Sequence, residues 1–186
     1  MSSSRPWGNY RTDYRPLVEL AKERKLPVIA ANAPRRYINM VSRNGREALN
    51  SLSKEARRWL PDLPYAEPTA AYAAKFRGTM GGRPEAQAGM ERILASQSLW
   101  DAAMADAVAR FLKKYDKALV IHLNGGFHTE SRMGIIDHLI RYRSKARASV
   151  VTIRYEEDFR RFNPAKHTGL GDYVILTDAK QPRSQR

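Results

Sequence analysis

Ala118-Leu-Val-Ile-His-Leu-Asn-Gly-Gly-Phe-His128 is the stretch on which the reading of this chain turns. Its first six residues form an apolar run too short for an ordinary helix, and Asn124-Gly125-Gly126 ends it, which is the pattern of a buried strand followed by a turn. Open parallel sheets place ligands just beyond the carboxyl ends of their strands. His128 therefore becomes the first candidate for chemistry, and Gly125 and Gly126 let the backbone turn tightly and approach a ligand closely. A strand-to-helix turn carrying an incidental histidine is the plain alternative. His122, inside the apolar run, reads as a satisfied core histidine.

Three further runs resemble the first: Leu26-Pro-Val-Ile-Ala-Ala31, Ser149-Val-Val-Thr-Ile-Arg-Tyr155 and Tyr173-Val-Ile-Leu-Thr177. Between them lie helical patterns. One runs from a cap at Asp13 to about Lys25 with Pro16 in its first turn. Another starts after Pro34, carries Tyr37, Ile38 and Val41 at helical spacing, and stops at Gly45. Two short helical stretches precede the turn Pro61-Asp-Leu-Pro64, and a helix over Ala70 to Phe76 is broken by Gly81-Gly-Arg-Pro84. From Glu85 to Tyr115, Ile93, Leu94, Leu99, Trp100, Ala103, Met104, Val108, Phe111 and Leu112 recur every three or four residues, predicting one long helix or two with a kink. Gly134 to Arg141 is the last. Short apolar strands alternating with helices give an α/β fold, with a mostly parallel sheet of about four strands flanked by helices and a helical insertion between the first two strands. A single domain over residues 1–180 and a frayed tail over 181–186 are expected.

Composition narrows the chemistry. The 186 residues contain 33 lysines and arginines against 19 acids, a net charge of +14, and no cysteine. Disulfides, thiolate nucleophiles, iron–sulfur clusters and cysteine-type zinc sites are thereby excluded. The charge is uneven: 13 basic against 5 acidic side chains in residues 1–60, 9 against 8 in 61–133, and 11 against 6 in 134–186. Such a balance attracts anionic partners. The basic residues are spread over several helices without a helix-turn-helix, RNP or zinc-finger pattern, so a nucleic-acid partner rests on charge alone. No secretory h-region opens the chain and no window approaches a membrane span, so no targeting signal is read and, as written, it is soluble and cytoplasmic.

Other candidates follow from position. Arg35, Arg36 and Tyr37 come just after the first apolar run, as His128 comes after the second, so both groups are expected at the same rim of the sheet. Arginine forks recognise carboxylates and phosphates, and nearby positive charge favours a phenolate suited to ferric iron. Tyr37 also fits the apolar stripe, so core packing competes with ligation. Asp101 interrupts the stripe of the long helix beside Trp100, where it can orient His128, bind a cation or lie on the surface; Met104 reads as core. His138 follows Asp137 and reads as a surface pair, and His167 sits in a loop.

At these residues the sequence resembles the ChaN-like haem-binding proteins of the Tiki/TraB superfamily. The likeness is carried by Arg5-Pro-Trp-Gly-Asn-Tyr10, Asp13-Tyr-Arg-Pro-Leu17, Val28-Ile-Ala-Ala-Asn-Ala-Pro-Arg-Arg-Tyr37, Leu99-Trp-Asp-Ala-Ala-Met-Ala105 and His122-Leu-Asn-Gly-Gly-Phe-His128, and extends to Tyr173-Val-Ile-Leu-Thr-Asp178. The resemblance implies an α/β fold, haem binding linked to bacterial iron uptake, attachment to the cell envelope or its membrane, and a haem-dependent homodimer with a tyrosine on iron. Gly125-Gly-Phe-His128 matches the superfamily's Gly-x-x-His segment and Asp101 to Met104 its helical partner motif, while Tyr37 is placed on iron by its position; His128, Tyr37, Arg35, Arg36, Gly125, Gly126 and Asp101 are therefore the expected cofactor-binding residues, with His128 and Tyr37 as metal ligands. The family's opening Gly-Glu-x-His turn is absent, since the sequence contains no Gly-Glu pair. That absence disfavours the alternative, a divalent-metal-dependent hydrolase of the Tiki/TraB type. It also suggests that Met1 is an internal start or that the chain is a piece of a longer protein.

Overall fold

A helix buried along most of its length has to be wrapped by its neighbours, and in the helix at Gln87–Lys114, α5, residues 94–109 are all buried or half-buried. The computed structural model describes residues 8–80 and 87–181. Before α5 come α1 (Arg15–Glu23), α2 (Arg35–Asn44), α3 (Lys54–Arg57) and α4 (Ala70–Met80). After it come α6 (Ile135–Tyr142), β1 (Val151–Glu156), α7 (Pro164–His167) and β2 (Tyr173–Asp178).

Three clusters surround α5. Leu99, Ala102 and Ala103 meet Tyr37, Ile38 and Val41 of α2, with Leu49, Leu60 and Tyr65. Met104, Ala105, Val108 and Ala109 meet Ile135 and Leu139 of α6. Leu94 meets Tyr72, Ala73 and Phe76 of α4. Full burial of a Leu or Val side chain contributes about 1.5–3 kcal/mol, so these clusters hold the helices to one another. The small residues Ala102 and Ala105, both wholly buried, let α2 and α6 approach closely.

Most helical boundaries follow the sequence. α2 stops at Gly45, whose φ of 82° suits glycine. α1 starts later than the Asp13 cap predicts, because residues Tyr10–Tyr14 form a π-helical turn and the Asp13 carboxylate accepts from Asn9 instead. The expected break at Gly81–Pro84 and most of the tail after 181 fall outside the described residues.

The sheet is smaller than expected. β1 and β2 pair in parallel, with Val151 opposite Tyr173 and Ile153 opposite Ile175. The runs over 26–31 and 118–123 are neither helix nor strand, and neither joins a ladder among the described residues. The α/β class stands; of the four expected strands, β1 and β2 are the two that pair among the described residues. An apolar run favours extended backbone, but strand pairing also needs a neighbour at hydrogen-bonding distance.

Residues of both runs and of the stretch before β1 pack against the helices. Ala31, Val120, Ala146 and Ala148 all pack on the α5–α6 cluster, and Thr152 of β1 is 2% exposed. Alternate residues point the other way: Leu119 and Ile121 are 88% and 80% exposed, and Leu123, Val151, Ile153, Tyr155, Tyr173 and Ile175 are exposed as well.

Candidate functional site

Asp101 is a carboxylate in the middle of α5 with no exposed surface. Such a group is tolerable only where donors satisfy it, and two do. The Tyr72 hydroxyl of α4 donates to Oδ2 at 2.5 Å, and His128 Nδ1 donates to Oδ1 at 2.5 Å. Burial pushes the Asp101 carboxyl up from its ordinary value, while the His128 and Tyr72 bonds and the Lys75 charge pull it back. Burial and the Asp101 charge push the Tyr72 phenol well up, so it keeps its proton and acts as a donor.

With Nδ1–H committed to Asp101, the proton-free nitrogen of neutral His128 is Nε2. Its one polar neighbour among the described residues is the Gln97 side-chain amide, 3.4 Å away. The Trp100 and Phe127 rings stand edge-on at 6.3 Å from the imidazole. The His128 side chain keeps 17% of its surface exposed. A buried carboxylate that fixes a histidine tautomer and leaves the opposite nitrogen presented is the arrangement found behind metal-ligating and general-base histidines.

The turn carrying His128 is held from α4. Lys75 Nζ donates to the carbonyls of Phe127 at 2.9 Å and Glu130 at 3.2 Å, and lies 4.6 Å from the centre of the Phe127 ring. Arg154 of β1 reaches the Glu130 carboxylate at 3.0 Å, tying the sheet to the same turn. Gly134 closes the site from behind. With φ of 59°, its Hα side faces the His128 carbonyl, Asp101 and Tyr72, where a Cβ would stand 2.6–2.9 Å from each. Its N–H is accepted by the Asp137 carboxylate at 3.0 Å.

Of the sequence candidates, the structure brings Asp101, His128, Gly125 and Gly126 together. Gly126 faces the Glu130 carboxylate, and Gly125 faces the His128 ring. Tyr37 lies in the α2–α5 cluster at 4% exposure, where its hydroxyl accepts from Arg36 at 3.0 Å. Arg35 and Arg36 are exposed at the start of α2. Trp100 links the two groups, since it packs against the Tyr37 cluster and against the α5–α6 cluster while its ring neighbours His128.

The other histidines divide differently from expectation. His138 is buried on α6 rather than paired at the surface, with Nε2 3.1 Å from Ser98 Oγ. Burial, helped by Arg141 and Arg46, brings its pKa down to about 4. His122 is half-buried on Asn124. His167 is buried, taking the Asn163 N–H at Nδ1 and turning Nε2 to Glu156. Sequence reasoning missed Tyr72 and Lys75. Tyr72 and Phe76, four apart on α4, carried the usable signal, a helical face with a cation beside it.

Among the described residues, no cluster of three or more histidines and acids is placed to hold a metal ion, and no helix is long and apolar enough to cross a membrane. A family model described as haem-binding uptake, Tiki superfamily, ChaN matches residues 1–139. No curated protein and no solved structure matches the chain significantly. The matched span holds Tyr72, Asp101 and His128 and ends inside α6, ahead of β1. Covering about three quarters of the sequence, it shows that the chain belongs to the ChaN haem-binding uptake family of the Tiki superfamily.

Proposed function

We propose that this chain binds haem in the service of bacterial iron uptake, with His128 as the group that meets the iron. The observation that supports this reading is the Asp101–His128 bond, which fixes the imidazole and leaves the Nε2 lone pair available. The neighbouring Trp100 and Phe127 rings suit a flat aromatic ligand. Arg35 and Arg36 are proposed to attract its carboxylates, and Gly125 and Gly126 to allow close approach. When bound, haem supplies the iron whose axial site a histidine or tyrosine can occupy. Attachment to the envelope belongs to the same proposal.

Haem titration followed at the Soret band tests it. Saturable binding at micromolar protein is expected, with an affinity loss of tenfold or more in His128→Ala and little change in His122→Ala. Equal losses would remove His128 from the site. Tyr37→Phe keeps the ring in the core and deletes only the hydroxyl. A shifted Soret position in that variant identifies a tyrosinate ligand, whereas an unchanged one leaves His128.

The donor set also bears on the hydrolase alternative. His128 with Asp101 has the geometry of a general base, but the described residues supply no third ligand beside it for a divalent ion.

A further inference from the structure

We propose that the cleft where α3 and the turn after it meet the last part of α5 is a binding site for a small oligophosphate, apart from the His128 site. Four cations, Lys54, Arg57, Arg58 and Arg110, and one acid, Asp62, line a space of about 460 Å³, within the ~300–1,000 Å³ of small-molecule sites. Leu60 and Pro61, also in the lining, are buried, so the cleft offers charge more than apolar surface. Arg110 comes nine residues after Asp101 on α5. That is about two and a half helical turns, which brings Arg110 out on the side of the helix opposite Asp101 and about 13.5 Å along it. A ligand in the cleft therefore leaves His128 alone.

Arg57 and Arg58 follow Lys54 at three and four positions, so a single helical turn carries three cations on one face, a spacing at which like charges repel. Among the described residues no carboxylate pairs with any of the three. Arg57 is held by carbonyls instead, Nε donating to Leu52 at 3.1 Å and Nη2 to Asn50 at 2.7 Å. These bonds fix the guanidinium without neutralising it. Arg110 donates to the Leu60 carbonyl at 3.3 Å and pairs with Asp106 at 2.7 Å. Positive charge stays in excess, and phosphate oxygens are its natural acceptors. Cations on two elements suit an anion charged at several points, which a chain of phosphates is and a lone phosphate is not. A nucleic-acid strand would add base stacking, but no aromatic side chain lines the cleft.

Calorimetric titration of the chain with inorganic tripolyphosphate is the test. The expected result is one saturating site, with orthophosphate binding at least tenfold more weakly. Lys54→Gln combined with Arg58→Gln removes two charges whose side chains hold nothing else among the described residues, and should weaken tripolyphosphate at least tenfold with unchanged far-ultraviolet circular dichroism. Arg160→Gln combined with Arg161→Gln removes the same charge outside the cleft and should change affinity less than twofold. Equal losses in the two pairs would make the net +14 charge the cause and overturn the proposal. Absence of saturable binding, or several equivalents bound per chain, also overturns it.

A second set of measurements fixes the place and the ligand. Asp62→Asn removes the one acid in the lining, so tripolyphosphate should bind at least threefold more tightly; unchanged or weaker binding overturns the assignment. Haem affinity followed at the Soret band should be the same with and without saturating tripolyphosphate. Competition between the two would merge the cleft with the haem site and overturn its separateness. A short oligonucleotide that binds more tightly than tripolyphosphate at equal salt, and loses that advantage in the Lys54→Gln and Arg58→Gln pair, would give the cleft to nucleic acid and overturn the small ligand.

Discussion

Asp101 and His128 are joined at 2.5 Å between Oδ1 and Nδ1, although one sits mid-helix and the other in a glycine turn 27 residues on. The carboxylate is the fixed partner. It is wholly buried on α5, and its second oxygen already takes the Tyr72 hydroxyl. His128 is oriented by what α5 presents to it.

Removing that partner has two consequences. Asp101→Ala strands the Tyr72 hydroxyl and the His128 N–H in a buried site, and each unsatisfied group costs about 1–3 kcal/mol. Asp101→Asn keeps the volume but loses the charge, so haem affinity should fall by about 10–100-fold, as with other outer-shell partners of ligating histidines. Chemical denaturation and Soret titration separate the two effects. An Asp101→Asn variant with undiminished affinity would deny Asp101 its orienting role.

Two glycines should respond in opposite directions. Gly134→Ala places a methyl 2.6 Å from a backbone carbonyl at a positive φ, and a loss of more than about 2 kcal/mol is expected. Gly78 lies in α4 with open space around it. There alanine should stabilise by about 0.5–1 kcal/mol. Urea unfolding of both variants is the check.

Lys75 should matter more than an exposed lysine would. Burial lowers its pKa, and it holds the Phe127 and Glu130 carbonyls. Lys75→Met keeps the stem and removes the donor, so a loss of about 1–3 kcal/mol is expected. Faster amide exchange over residues 126–130 would report the loosened turn. Unchanged protection there would show that the turn holds itself.

Stability should fall on mild acidification. The His138 pKa is about 4 in the fold against 6.5 ordinarily, so between these values the unfolded chain binds a proton that the folded chain does not. The contribution is complete above pH 6.5 and is lost progressively down to pH 4, by up to about 3 kcal/mol. His138→Gln should flatten that part of the curve in denaturation at stepped pH. An unchanged slope would assign the acid sensitivity elsewhere.

Local rules were enough for the helices. Pro34 and Gly45 bracket α2, and the apolar repeat from Ile93 to Leu112 reads directly as α5 because helical periodicity needs no partner to be recognised. The same rules found the Gly125-Gly126 turn and singled out His128, and the family was legible in the motifs around Trp100 and His128. Tertiary structure decided the rest. The apolar runs at 26–31 and 118–123 have strand composition, but a strand exists only where a neighbouring backbone completes it, and β1 and β2 alone pair among the described residues. Tyr72, 29 residues before Asp101, and Lys75, 52 before Phe127, join the site because α4 folds across α5, which no short-range spacing encodes. Likewise Asp137 and His138 are adjacent in sequence, yet helix geometry aims one at the Gly134 N–H and the other at Ser98 in the interior. Sequence set which side chains can do chemistry; packing between distant segments set which of them meet.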